Sequence, residues 1–447
     1  MAITLKNRRV LAVAPETTRG TFLTSMDPTN DAVPLVREAT FTVEPIRVDR
    51  PVLRLSLTDY PDIYPGVASV SIDTLIEISG VPPNTGTTTA LASPIWTDLM
   101  RSCGFEEVST ATGKTPRMYT GFTTFTNTDG APMRHGESVT VDYATPPDIT
   151  GVVLGDTFFD DDAICIEEIV TSPGTGTITI TTAAAGSNRS TTGVSVARDV
   201  SVVVGLRLRS NVNQMETISS ELYIDGKRLR VKGCASNIEL QLDHGDSLKA
   251  RFTIQGVREA YADVALPATP NEQHYIPPTF LGKDVRFRTI ESEATRKTYG
   301  RDGTISPSSA ALNTLRFSTG NNVVLRQNSL DTNGVTFALI TDREGTGSFN
   351  PDEVLESEFS FMEQFRQGKP IRFKGFIGAN PAASPNAGDG NSIDIIAPGC
   401  VLSQLGDAER DLVNSWDGQF ALTGGDYDTS ASGELPGNDS ELTIIYR

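Results

Sequence analysis

Residues 233–256 read GCASNIELQLDHGDSLKARFTIQG: a Gly-Cys pair, a strand, a turn at Asp243-His244-Gly245-Asp246, and a returning strand closing on Phe252-Thr-Ile-Gln-Gly256. A polar, Gly-containing turn between two runs of alternating character is a hairpin signal. The order returns at 399–424, where Gly399-Cys400 is followed by a run of similar length ending Phe420-Ala-Leu-Thr-Gly424. Outward from these hairpins the chain keeps a period of two. RPVLRLSL (50–57) sets Leu53, Leu55 and Leu57 against Val52, Arg54 and Ser56, and VASVSIDTLIEISG (67–80) groups Val70, Ile72, Thr74, Ile76 and Ile78. ELYIDGKRLRVKG (221–233) turns at Asp225-Gly226, and GTGTITITTAAAG and DVSVVVGLRLRS add strands. The 39 glycines and 26 prolines suit many short strands joined by turns.

Two helices interrupt this pattern. In SPIWTDLMRSCGF (93–105) the spacing predicts a helix capped by Ser93, with Pro94 in its first turn and Gly104 ending it; Ile95, Trp96, Leu99, Met100 and Cys103 share a face. NPDEVLESEFSFMEQFRQGKP (350–370) predicts a second, capped by Asn350 with Glu353 in the capping box. Its apolar stripe is Leu355, Phe359, Met362 and Phe365, and Gly368 and Pro370 close it. Strands, capped helix, Gly-Cys, hairpin and Phe-x-x-x-Gly thus occur twice in one order, which reads as a diverged tandem duplication. The stretch between Gly104 and Gly233 exceeds its counterpart by about a hundred residues, a domain-sized insertion. The expected organisation is an irregular arm over 1–38 that orders against a neighbour, a first domain of 39–106 and 213–265, an inserted surface β domain over 107–212, and a second domain over 266–447.

Little in the 447 residues points to catalysis. The three histidines, His135, His244 and His274, have no His or Cys at ligand spacing, and HExxH, G-x-S-x-G and phosphate-loop signatures are missing. Asp243-His244 reads as a hairpin tip. Asp160, Asp161 and Asp162 with Glu167 and Glu168 read as a solvated acidic loop rather than a calcium site, because EF-hand spacing is lacking. Cys103, Cys165, Cys234 and Cys400 are scattered, so buried free thiols are expected. No enzyme, cofactor or metal is expected. The opening residues lack a signal-peptide core, and no apolar run is long enough to span a bilayer, so a protein made and kept in a cytoplasm until assembly is expected.

A formal net charge of −18 disfavours adhesion to polyanions. Within that surplus, Arg207/Arg209, Arg228/Arg230/Lys232, Arg286/Arg288 and Arg372/Lys374 lie at period two on strands. Such sets suit a solvated outer face or salt bridges across subunit boundaries; a DNA-gripping face is the third choice.

In order and content the chain resembles the major tail tube proteins of long-tailed (siphovirus-type) bacteriophages, in a double-domain form. The resemblance rests on PETTRGTF with DPTNDAVPLV, on RVDRPVLRLSLTDYPDIYPGVASVSIDTLIEISG with SPIWTDLMRSCGFEE, on FTIQGVREAYADVALPATP, and on FSTGNNVVLRQNSLDTNGVTFALITDREGTGSFNPDEV. It covers most of the chain outside the insertion. It implies a mainly β fold: two tandem β-sandwich or half-barrel domains, each with a flanking α-helix, plus the inserted β domain. The helix cores are then Ile95, Trp96 and Leu99, and Leu355, Phe359 and Met362. The implied function is structural: trimers with pseudo-sixfold symmetry close into rings, and the rings stack into the tail tube of the virion. The implied partners are further copies, a tape measure protein, a tail terminator and distal tail or baseplate proteins. Double-stranded DNA passes through the lumen without specific binding, and no membrane is involved. Arg228, Arg230, Lys232, Arg286 and Arg288 are candidates for bridges between subunits. Tyr60, Ile63 and Tyr64, on the Pro-stiffened loop TDYPDIYPG (58–66), are candidates for inter-ring contact or for packing within the domain. A baseplate, distal tail or capsid-decorating protein is the rival reading, equally acidic and non-enzymatic.

Overall fold

The computed structural model describes residues 8–36, 39–45, 68–80, 94–108, 117–126, 138–143, 157–159, 167–173, 177–182, 198–202, 205–208, 215–268, 270, 277–281, 285–289, 298–300, 312–328, 331, 334–356, 359–377, 393–410, 412–423 and 441–446. The protein is mainly β, with antiparallel ladders and few helices. The chain runs through β1 (Arg9–Pro15), α1 (Pro28–Asp31), β2 (Thr40–Pro45), β3 (Ala68–Glu77) and α2 (Trp96–Ser102). It continues with β4 (Phe105–Val108), β5 (Arg117–Thr126), β6 (Ser138–Tyr143), β7 (Thr157–Phe159), β8 (Glu167–Pro173), β9 (Thr177–Thr182), β10 (Arg198–Val202) and β11 (Gly205–Leu208). Next are β12 (Ile218–Ile224), β13 (Lys227–Asp243), β14 (Lys249–Asp263), β15 (Val285–Thr289), β16 (Thr298–Gly300), β17 (Leu312–Ser318), β18 (Asn321–Gln327) and β19 (Val335–Arg343). Last come β20 (Thr346–Pro351), α3 (Phe361–Gln367), β21 (Ile371–Ile377), β22 (Ile393–Arg410), β23 (Val413–Thr423) and β24 (Thr443–Tyr446).

One sixteen-stranded sheet carries most of these strands, and it contains the same pairing order twice. The first set is β1-β12-β13-β14-β3-β2. The second is β15-β21-β22-β23-β20-β17. In each, the chain visits one outer strand, the opposite outer strand and its neighbour, then a helix, then the three middle strands. The sets differ in their additions. Between α2 and β12 lies the insertion, in which β10-β5-β6-β9-β8-β7 close into a barrel on a stalk of β4 paired with β11. The second set adds β16 outside β15, the hairpin β18–β19 between β17 and β20, and β24, which pairs with both β22 and β11.

The hairpin geometry follows from local chemistry. Asp225 and Gly226 both have positive φ and join Ile224 to Lys227 in a two-residue turn of the twist that antiparallel strands favour. The register of β13 on β14 slips between Lys232 and Ala235, so Gly233 and Cys234 form a bulge. A Cβ on Gly256 would lie 2.6 Å from the Cys234 Sγ and 2.8 Å from Val231. In the first set the Gly-Cys and Phe-x-x-x-Gly signatures are therefore the two sides of one contact: the bulge drives a thiol inward, and the facing strand makes room.

A continuous core runs through both sets, from Leu11 and Trp96 to Phe420 and Ile444. Cys103, Cys234 and Cys400 are buried free thiols, and burial pushes each of them up from the ordinary thiol range. Cys165 lies outside the described residues.

Helix α2 presents the face read from the sequence: Trp96, Leu99, Met100 and Cys103 are buried and Ile95 packs at the margin. Trp96 Nε1 donates to the Ser79 carbonyl at 3.0 Å. Its start differs from expectation. Ile95 already has helical dihedrals and no side chain caps it; the Pro94 carbonyl receives the Thr97 N–H and hydroxyl instead. Ser93 lies outside the described residues.

The second helix begins about ten residues later than the sequence implied. Asn350 and Pro351 end β20, and the Asn350 side chain accepts from the Thr314 N–H at 2.8 Å. The cap is Ser360, whose Oγ accepts from the Glu363 N–H at 3.1 Å, with Glu363 in the position assigned to Glu353. Only Phe359 of the proposed core stripe is buried, and it precedes the helix; Leu355 is 71% exposed and Met362 46%. Phe361 and Gln364 face inward instead. The expectation of an irregular arm over 1–38 also fails in part. Residues 9–15 form β1, paired along its length with β12, and Leu11, Ala12 and Val13 are fully buried.

Trp96→Ala removes the largest side chain joining α2 to the sheet. It is expected to lower stability by about 3–5 kcal/mol, read from the urea midpoint of purified protein.

Candidate functional site

Among the described residues no group of three or more His, Cys, Asp or Glu could hold a metal ion, and no helix is long and apolar enough to cross a membrane. Asp243 and His244 sit at the β13–β14 tip, where Asp243 accepts from Arg316 at 2.9 Å and the His244 N–H donates to the Asn313 carbonyl. The dense chemistry of the molecule lies elsewhere, where the second strand set meets the first.

That junction is built on one strand. β13 is seventeen residues long and changes partner along its length. Residues 227–234 pair with β12, and 239–243 pair with 318–314 of β17. Arg316 projects from β17 between Glu239 at 3.6 Å and Asp243. Just beyond, Asn237 Oδ1 accepts from the Thr319 hydroxyl at 2.7 Å and the Asn321 N–H at 3.0 Å. Asn321 Nδ2 in turn donates to the carbonyls of Cys103 at 2.8 Å and Ser236 at 2.9 Å. One amide from the second set thereby closes the carboxyl end of α2 in the first.

Hairpin β18–β19 then lies over the first set. Ala338 and Ile340 pack with Met215 and Ala235, flanked by Val323 and Leu325. Its strand β19 meets backbone at two glycines with positive φ: a Cβ on Gly233 would lie 2.5 Å from that of Phe337, and one on Gly20 would lie 2.7 Å from the Thr336 carbonyl oxygen.

Beneath this contact Glu16 ties the segment after β1 to the bulge. One carboxylate oxygen accepts from the Gly233 N–H at 2.7 Å and the Ser219 hydroxyl at 3.0 Å. The other accepts from the Gly20 N–H and the Thr217 hydroxyl, each at 2.7 Å. The residue types in the sequence did not point to this group, although Glu16 and Gly20 both lie in the stretch PETTRGTF on which the resemblance partly rests. Asn321 carried no signal at all.

Three of the cations singled out by period have partners within the chain. Arg230 Nε lies 2.6 Å and Arg228 3.7 Å from the buried Glu221 carboxylate, and Lys232 lies 2.8 Å from Glu259. Tyr223 also donates to Glu221 at 2.5 Å; burial first, then that hydrogen bond, raises its pKa. Arg286 and Arg288 stand on β15 opposite Lys374 and Arg372 in register. Tyr60, Ile63 and Tyr64 lie outside the described residues.

Among the described residues, two open edges belong to the counterparts of the junction strands. Along residues 402–409, β22 pairs with β23 on one side and with no other strand among the described residues. β2, the counterpart of β17, pairs only with β3 among the described residues. Comparison of the sequence with protein-family models and with curated proteins gives no match.

Glu16→Ala strips four donors of their acceptor, and each such loss costs about 1–3 kcal/mol. The expected outcome is a drop of about 3 kcal/mol or more in chemical-denaturation stability, with Glu16→Gln intermediate because its amide keeps one acceptor oxygen.

Proposed function

We propose that the chain is a structural subunit of a hollow tube, of the kind formed by tail tube proteins of long-tailed bacteriophages. The two strand sets are two copies of one module, and each module supplies a sixth of a ring. The carrying observation is the junction of β13 with β17 together with the open edges of their counterparts, β22 and β2. Inside the chain, the outer strand of one module completes the long strand of the other. Repeating that contact between chains sets β2 of one copy on the distal half of β22 of the next. The two surfaces are unlike, so the contact is heterologous and propagates until it closes. With two modules per chain, three copies complete a six-module circle.

Closure also covers edges that would otherwise template aggregation. Stacked rings then make a conduit. A net charge of −18 suits a wall that DNA must pass without sticking, since every neutralised phosphate releases counterions and slows passage. The place of such a chain is the virion tail, assembled in the host cytoplasm with a tape measure protein inside and terminator and distal tail proteins at its ends. No catalytic group is required for this role.

Electron microscopy of the purified protein tests the reading. Hollow stacked rings with three chains per layer are expected. A chain that stays monomeric at high concentration, or forms discrete oligomers without a central channel, overturns it.

A further inference from the structure

In the first strand set the end of the flanking helix is roofed. Ile340 lies 3.6 Å and Met215 3.4 Å from where a Cβ on Gly104 would be, and Asn321 Nδ2 donates to the Cys103 carbonyl. The roof is β18–β19, the segment that joins β17 to β20. In the second set α3 ends on Gly368, also at positive φ, with nothing among the described residues within 4 Å of its Cβ position. Beside it Met362 is 46% and Phe365 37% exposed. Exposed apolar groups beside an open helix end mark a surface that lacks its cover.

The repeated order says what the cover is. The segment of the first set that corresponds to β18–β19 is the one joining β2 to β3, residues 46–67. Its sequence VLRLSL (52–57) alternates Leu53, Leu55 and Leu57 with Arg54 and Ser56. β18 does likewise, setting the packed Val323 and Leu325 against the exposed Val324. β17 delivers its hairpin onto the set whose long strand it completes. A copy whose β2 completes β22 therefore delivers residues 46–67 onto the set that carries α3.

We infer that the α3 face, formed by Met362, Phe365 and the Gly368 turn, receives residues 46–67 of a second copy of this chain, in the position β18–β19 takes on α2. The inference rests on the ring reading above and specifies its contact residues.

Met362→Lys and Phe365→Glu change exposed positions and are compared with the parent for melting temperature and for polymer recovered by sedimentation. Unchanged melting with a fall of about tenfold or more in polymer is expected, as for central interface positions. Independently, Phe365→Cys with Leu55→Cys is treated with a short bismaleimide. Covalent ladders of two and three chains are expected from the double variant and not from either single one. Normal polymer from both charge variants, or a double variant whose cross-links stay within one chain, overturns the inference while the rings stand. If a charge variant fails to fold, the ladder alone decides. A parent protein that does not polymerise overturns the ring reading and this inference together.

Discussion

The strand β13 is paired on both sides: β14 runs along one side, and on the other it changes partner halfway. Near the bulge it belongs to its own strand set; near the tip it belongs to the other. The rest of the architecture follows from this division. β17 is brought across because residues 239–243 offer an edge, and Arg316 fits because Glu239 and Asp243 stand on the same stretch. The hairpin that continues from β17 then falls on the bulge, where glycines let its backbone approach.

The Glu16 carboxylate holds the other side of that bulge. Donors arrive from Gly20, Thr217, Ser219 and Gly233, so one side chain joins the end of β1, the start of β12 and the middle of β13. Charged acceptors make stronger hydrogen bonds than neutral ones, and four donors converging on one carboxylate fix its position. The buried Glu221 works similarly for Arg228 and Arg230. Arg228 and Arg230, which alternate on β13, thus seat a carboxylate within the chain, and their period alone does not distinguish this from a contact between chains.

Much of the fold was legible because hairpins and bulges are written locally. Asp225-Gly226, Asp243 to Asp246 and the Gly233-Cys234 pair all sit where the sequence places turns and close contacts. The face of α2 was legible for the same reason. The start of the second helix was not. Asn350-Pro351 has the chemistry of a helix start, but its backbone is claimed by β17 and its side chain by the Thr314 N–H, a partner remote in sequence. Ser360 with Glu363 carries the same capping chemistry ten residues on, and only tertiary pairing chooses between them. β1 was hidden inside an apparent arm because it pairs with β12, on the far side of the insertion. The Glu16 cluster draws on donors more than two hundred positions away, a distance at which residue spacing says nothing.

The stalk of the inserted barrel has a consequence for synthesis. β11 is held on one side by β4, which precedes the barrel, and on the other by β24, which the ribosome delivers only after the entire second half has been made. Throughout that interval the nascent chain carries an incomplete ladder, the kind of exposed strand that invites misassociation and chaperone binding. β24 thus completes the ladder of the stalk last and ties it to β22 of the second set.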